Sequence, residues 1–187
     1  MKRKNLIILG IIFGFYSCKN EPESDSNNTL IKSLISPKIK KEKPCKCNFE
    51  TYLEYLNSVP IYEKADTPIV SNFKFEDDPE YDFGGGFLFK NSKDGFLQIG
   101  KDPFYPAMEN LWVHHTNIKI GTTNYDGSKI PIYQDPKVES IIVEYIVGEN
   151  YFDAWACNGQ WALVEYNGIL GWLSPEYQCN NPVTNCN

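Results

Sequence analysis

The sequence predicts a mainly β protein built as two small barrels in tandem, after an export segment and a flexible tether. Three observations carry that expectation. Beyond residue 46 the chain is cut into short runs of β-branched and aromatic residues bounded by turn residues. The stretch NGQWALVEYNGILGWLSPEYQC (158–179) holds two Asn-Gly pairs, with a tryptophan on each side of the second. SVPIYEKADTPIV (58–70) returns 71 residues later as KIPIYQDPKVESIIV (129–143).

Taken from the start, MKRK is a positively charged opening and NLIILGIIFGF an apolar run too short to span a bilayer. Residues 1–17 read as a signal peptide. Ser17 directly before Cys18 resembles the cleavage site of bacterial lipoproteins, which implies lipidation of Cys18. Residues 18–46 are polar and carry no aromatic ring, so they bury too little surface to fold and read as a disordered tether. Lysine followed by acidic residues there resembles the surface-export signals of Bacteroidetes lipoproteins. The resemblance implies an outer-membrane lipoprotein, on the periplasmic or the cell-surface face, touching the membrane only through its lipid.

The strand runs follow: VPIYE, TPIVS, GGFLFK, GFLQIG, LWVHH, NIKIG, KIPIYQ, ESIIVEYIV, YFDAWAC, QWALVEY and GILGWL. FETYLEYL (49–56) is the one place where a helical period competes. Asn167-Gly168 suits a two-residue type I′ turn, because both positions tolerate φ > 0. That turn sets Tyr166 opposite Ile169, Glu165 opposite Leu170, Val164 opposite Gly171 and Leu163 opposite Trp172. Ala162, Val164, Tyr166, Ile169 and Leu173 then share one face, and Trp161, Leu163, Leu170 and Trp172 the other. A hairpin apolar on both faces belongs in a bent, two-sided setting. Gly171 marks a bend or a close backbone approach.

The segment 129–177 resembles a bacterial Src-homology-3-like (SH3-like) domain. The matching residues are Ile130-Pro131-Ile132-Tyr133, the 134–138 loop, Ile141–Gly148, Trp161 to Val164, Asn167-Gly168 and Gly171-Trp172-Leu173. A divergent first copy, with Leu111 before Trp112 and Phe96 in the place of Trp161, completes a pair. The expected domains are 47–126 and 127–187, the second ending in a cysteine-containing tail. The resemblance implies a binding module of the cell envelope.

Charge narrows the partners. Of 18 Lys and Arg and 24 Asp and Glu, ten and four fall before residue 47, leaving eight lysines against twenty acids and a balance of −12. A nucleic-acid binder needs a basic face, so nucleic acid is excluded as a partner. Five cysteines follow Cys18 in a chain expected to meet an oxidising compartment. Their pairing is open, with Cys179–Cys186 favoured because CNNPVTNC closes a short ring around an Asn-Pro turn. Cys157 reads as a disulfide partner or a packed thiol. His114-His115 would face opposite sides of a strand, and the acidic loop FEDDPEYDFGGG (75–86) lacks the spacing of a calcium loop. No metal and no cofactor is expected. Neither G-x-S-x-G nor H-E-x-x-H occurs, and the residues outside the second barrel read as strands, so the chain reads as no enzyme.

The functional expectation is an envelope binding module that takes a cell-wall peptide or glycan fragment, or an envelope protein. Its candidate contacts are Tyr133, Tyr151, Trp155, Tyr166 and Tyr177, since aromatic rings supply contact area at low entropy cost. The alternative is an acidic inhibitor or immunity protein that neutralises a toxin or a lytic enzyme.

Overall fold

A computed structural model describes residues 44–54, 58–74 and 86–180. Cys18, most of the tether, most of the acidic loop and Cys186 lie outside the described residues. The chain from Lys43 onward is one compact unit. As the sequence predicts, it is mainly β: two antiparallel sheets, with no α-helix among the described residues.

The strands are β1 (Cys45–Leu53), β2 (Val59–Tyr62), β3 (Ile69–Phe73), β4 (Gly86–Lys93), β5 (Phe96–Ile99), β6 (Trp112–His114), β7 (Ile118–Thr122), β8 (Lys129–Tyr133), β9 (Ile142–Val147), β10 (Tyr151–Asp153), β11 (Ala156–Asn158), β12 (Trp161–Tyr166), β13 (Ile169–Leu173) and β14 (Gln178–Cys179). β1 begins inside the expected tether and overrides the helical reading of 49–56. Phe49 and Leu53 are buried in the core while the backbone pairs with β4 and β7.

The repeat is visible in the topology. The larger sheet contains the order β4-β5-β6-β2-β3, and the smaller sheet runs β11-β12-β13-β8-β9. Each copy continues through a single 3-10 turn, at His115–Asn117 and Pro175–Tyr177, into a short strand, β7 or β14. The copies are not segregated at residue 126. β14 pairs with β7, and β10 pairs with the opposite edge of β7, so both enter the larger sheet. Gly121 faces Tyr151 on one side and Cys179 on the other. A Cβ there would stand 3.1 Å from the Tyr151 ring and 3.2 Å from Cys179, so this crossing accepts only glycine without a shift.

The β12–β13 hairpin has the expected register from Tyr166↔Ile169 to Leu163↔Trp172. Asn167 and Gly168 sit at φ 53° and 78°, the type I′ signature. Its two apolar faces go to different places. Ala162, Val164 and Leu173 enter a main core shared by both sheets, with Phe49, Phe89, Ile120 and Ile132. Leu163 and Trp172 join a second cluster on the other face. Gly171 is the close approach: a Cβ would lie 2.9 Å from Ile132 Cδ1 and from Val143 Cγ2.

Cys47 and Cys157 form a disulfide. Beside it, Asn48 N–H donates to Gly159 O and Gly159 N–H to Lys46 O, both at 2.8 Å, which fastens β1 to the β11–β12 turn. Cys45 and Cys179 are disulfide-bonded as well. The expected Cys179–Cys186 ring reaches outside the described residues.

Candidate functional site

The second cluster begins as a row across four strands. Register places Ala156 opposite Leu163, Leu163 opposite Trp172 and Trp172 opposite Tyr133. Directly opposed side chains in a sheet stand within contact distance, and aromatic pairs gain from it. The row is the outer face of the smaller sheet, because alternate residues on the same strands (Ala162, Leu173, Ile132) fill the main core. Half-buried Trp155, Trp161 and Leu170 lie against the row. Trp161 meets Tyr133 edge to face at 5.6 Å. Around the Tyr133 hydroxyl, burial first and then Tyr177, Glu176 and Tyr145 raise its pKa.

Rings continue from this cluster into the larger sheet. The Trp155 indole stacks on the His115 imidazole at 3.7 Å with 20° between planes. His115 meets His114 at 4.3 Å, His114 meets Phe96 at 4.9 Å, and Phe96 meets Tyr62 at 5.0 Å. The expectation that the two histidines point to opposite faces is corrected here. β6 ends at His114, the chain enters a 3-10 turn at His115, and the period-2 argument stops with the strand. The β4–β5 turn makes room: Asp94 and Gly95 have φ 51° and 78°, and a Cβ on Gly95 would stand 3.2 Å from the His115 ring. His115 N–H donates to Gly95 O at 2.8 Å.

His115 is buried and its Nδ1 has no hydrogen-bond partner among the described residues. Burial, with the neighbouring His114 and Lys119 outweighing the opposing Asp153, lowers its pKa from 6.5 to about 4. At neutral pH it is an uncharged ring that prolongs the aromatic surface of Trp155. Lys119 is held by Asp153 at 2.5 Å, with Glu54 at 3.9 Å.

The five residues expected to bind ligand are only partly gathered. Tyr133 and Trp155 share the second cluster, with Tyr133 buried beneath Trp161 and beside Trp172. Tyr177 packs against the main core and is an electrostatic neighbour of Tyr133. Tyr166 packs at the core margin, edge-on to Phe152 at 6.1 Å. Tyr151 is exposed on β10, in the other sheet, and its hydroxyl donates to Glu149 at 2.7 Å. Trp161, Leu163, Leu170 and Trp172 were not among those five. Their signal was the second apolar face of the hairpin, which has no place in the main core. No three His, Cys, Asp or Glu side chains among the described residues converge to hold an ion.

No family model matches this chain, and no curated protein does. Among solved structures it is similar to NlpC2 from Trichomonas vaginalis, with 16% identity, a TM-score of 0.32 and coverage of 70% of this chain. The match spans 47% of that protein, so this chain corresponds to about half of its length. The expectation that the chain is no enzyme is set aside: the neighbour is of the NlpC/P60 peptidase type, and a likeness at this TM-score assigns the chain neither an activity nor the lack of one. A likeness this slight transfers no active-site residue.

Proposed function

We propose that this protein is an envelope-anchored binding protein. Its ligand is a cell-wall peptide or glycan strand, held on the outer aromatic face of the smaller sheet. The observation that carries the reading is the row Ala156-Leu163-Trp172-Tyr133 with half-exposed Trp155, Trp161 and Leu170 against it. An apolar sheet face that belongs to no main core, topped by tryptophans, has the composition of binding hot spots. The shared strand order of the two copies, each with a 3-10 turn before its closing strand, supports the SH3-like resemblance. The leader, Cys18 and the polar tether support a lipid anchor in the outer membrane.

The test is co-sedimentation of the Lys43–Asn187 unit with purified peptidoglycan, at low and at raised salt. Salt-resistant pelleting that Trp161→Ala abolishes is the expected result. Absence of pelleting overturns the wall-binding reading. A second reading, inhibition of a basic toxin or lytic enzyme, is favoured by the −12 balance of residues 47–187. It predicts salt-sensitive binding to a cationic protein and none to the wall.

A further inference from the structure

A cleft of about 250 Å³ lies where the two sheets meet, and it shares no residue with the aromatic face. β1 contributes Asn48 and Glu50, β4 contributes Leu88, and the β11–β12 turn contributes Gln160. Pro175 and Gln178 close it from the last 3-10 turn and β14, with Asn180 just beyond. We propose that this cleft binds an uncharged acetamido sugar, either alone or as one residue of a longer glycan.

The site has a fixed frame. The paired 2.8 Å bonds between Asn48 and Gly159 and between Gly159 and Lys46 set the spacing of β1 and the Gln160 turn. Gln178 Nε2 donates to Gln160 O at 2.9 Å and to Leu173 O at 3.0 Å. With its nitrogen so engaged, that amide offers its oxygen. The side chains of Asn48, Glu50 and Gln160 make no hydrogen bond to any described residue. Their polar atoms are unspent and are what a ligand meets.

The chemistry of the lining selects the class. The carboxamides of Asn48, Gln160 and Asn180 both donate and accept, and Gln178 accepts, which matches hydroxyl and acetamido groups. One carboxylate and no lysine line the cleft, so an anionic sugar or a phosphate finds no counter-charge. Leu88 and Pro175 offer apolar contact for an acetamido methyl or a C–H face. The volume falls below the roughly 300–1,000 Å³ of sites for drug-sized ligands, which fits one sugar ring. An extended peptide is disfavoured, because strand addition needs a free edge. Here β1 is paired with β4 through Glu50↔Leu88 and bridged to Gly159.

The experiment follows the side-chain amide signals of 15N-labelled residues 19–187 during titration with a neutral N-acetylglucosamine oligomer at millimolar concentration. Parallel titrations use a glucuronic acid oligomer and an extended wall peptide. The expected result is selective movement of the Asn48, Gln160 and Gln178 amides with the neutral sugar. Asn48→Ala/Gln160→Ala weakens that binding at least tenfold without altering the urea midpoint, because both side chains are exposed. Trp161→Ala leaves it unchanged, which separates this site from the aromatic face. No movement, equal movement with the anionic sugar, or movement with the peptide alone overturns the proposal.

Discussion

Replacing both partners of the Cys47–Cys157 disulfide, as Cys47→Ala/Cys157→Ala, tests how the two ends of the compact unit are held together. The bridge joins residues 110 apart. In the loop-entropy description a closed loop of that length is worth about 4.8 kcal/mol at 25 °C. The bonds held by Cys45 and Cys179 already restrict the unfolded chain, which lowers the expected loss to roughly 3–4 kcal/mol. Removing the fully buried Cys157 sulfur adds on the order of 1 kcal/mol of lost packing. With a urea slope of about 2 kcal/mol/M, the midpoint of the Lys43–Asn187 unit falls by roughly 2 M. The slope itself rises, because the unfolded chain expands without the bridge. The Asn48–Gly159–Lys46 hydrogen bonds keep the native geometry, so the spectrum of the folded variant stays that of the parent. A loss below about 1 kcal/mol with an unchanged slope refutes the reasoning, since the bridge would then do nothing to the unfolded state.

Three further outcomes are expected. Gly171→Ala pushes a methyl against Ile132 and Val143 at 2.9 Å; overpacking less the unfolded-state gain leaves a loss of about 1–2 kcal/mol by urea unfolding. Ser92→Ala strands the Cys157 backbone, whose C=O accepts from Ser92 Oγ at 2.8 Å and whose N–H donates to it at 3.1 Å. Its cost is about 1–3 kcal/mol by the same assay. The His115 pKa is lowered from 6.5 to about 4, so the unfolded chain binds this proton more readily than the folded one. The stability it contributes is complete above pH 6.5 and is lost as pH falls from 6.5 through about 4. His115→Phe, which keeps the stack on Trp155, flattens that part of the profile of urea midpoint against pH.

What could be read from the sequence was local. Asn167-Gly168 dictates its own backbone, and the turn then dictates the four cross-strand pairs nearest it and both faces of the hairpin. The copy at 58–70 was readable for the same reason, since Pro-Ile-Tyr runs place the same strand in both sheets. Partners brought together over long separations left no such mark. Nothing near Cys47 or Cys157 in sequence announces their bond, and a two-residue strand such as β14 has no period to detect. The His114-His115 reading failed because period-2 alternation holds only while the strand lasts. At the candidate site the pattern draws the hairpin's outer face correctly but does not say which of its two apolar faces meets the main core.

β7 carries strands from both ends of the unit, β1 and β14, on one edge and β10 on the other. The same edge that receives β1 receives β14, which follows β7 only after all of β8 to β13. The larger sheet is therefore incomplete until Cys179 has arrived, and its assembly waits on contacts of high sequence separation, which are slow to form. A chain ending near residue 126 would leave β7 without β10 or β14, and its unpaired backbone groups would be open to other chains. Such a truncation is expected to aggregate where the Lys43–Asn187 unit stays soluble. The two copies, similar as they are, mature together or not at all.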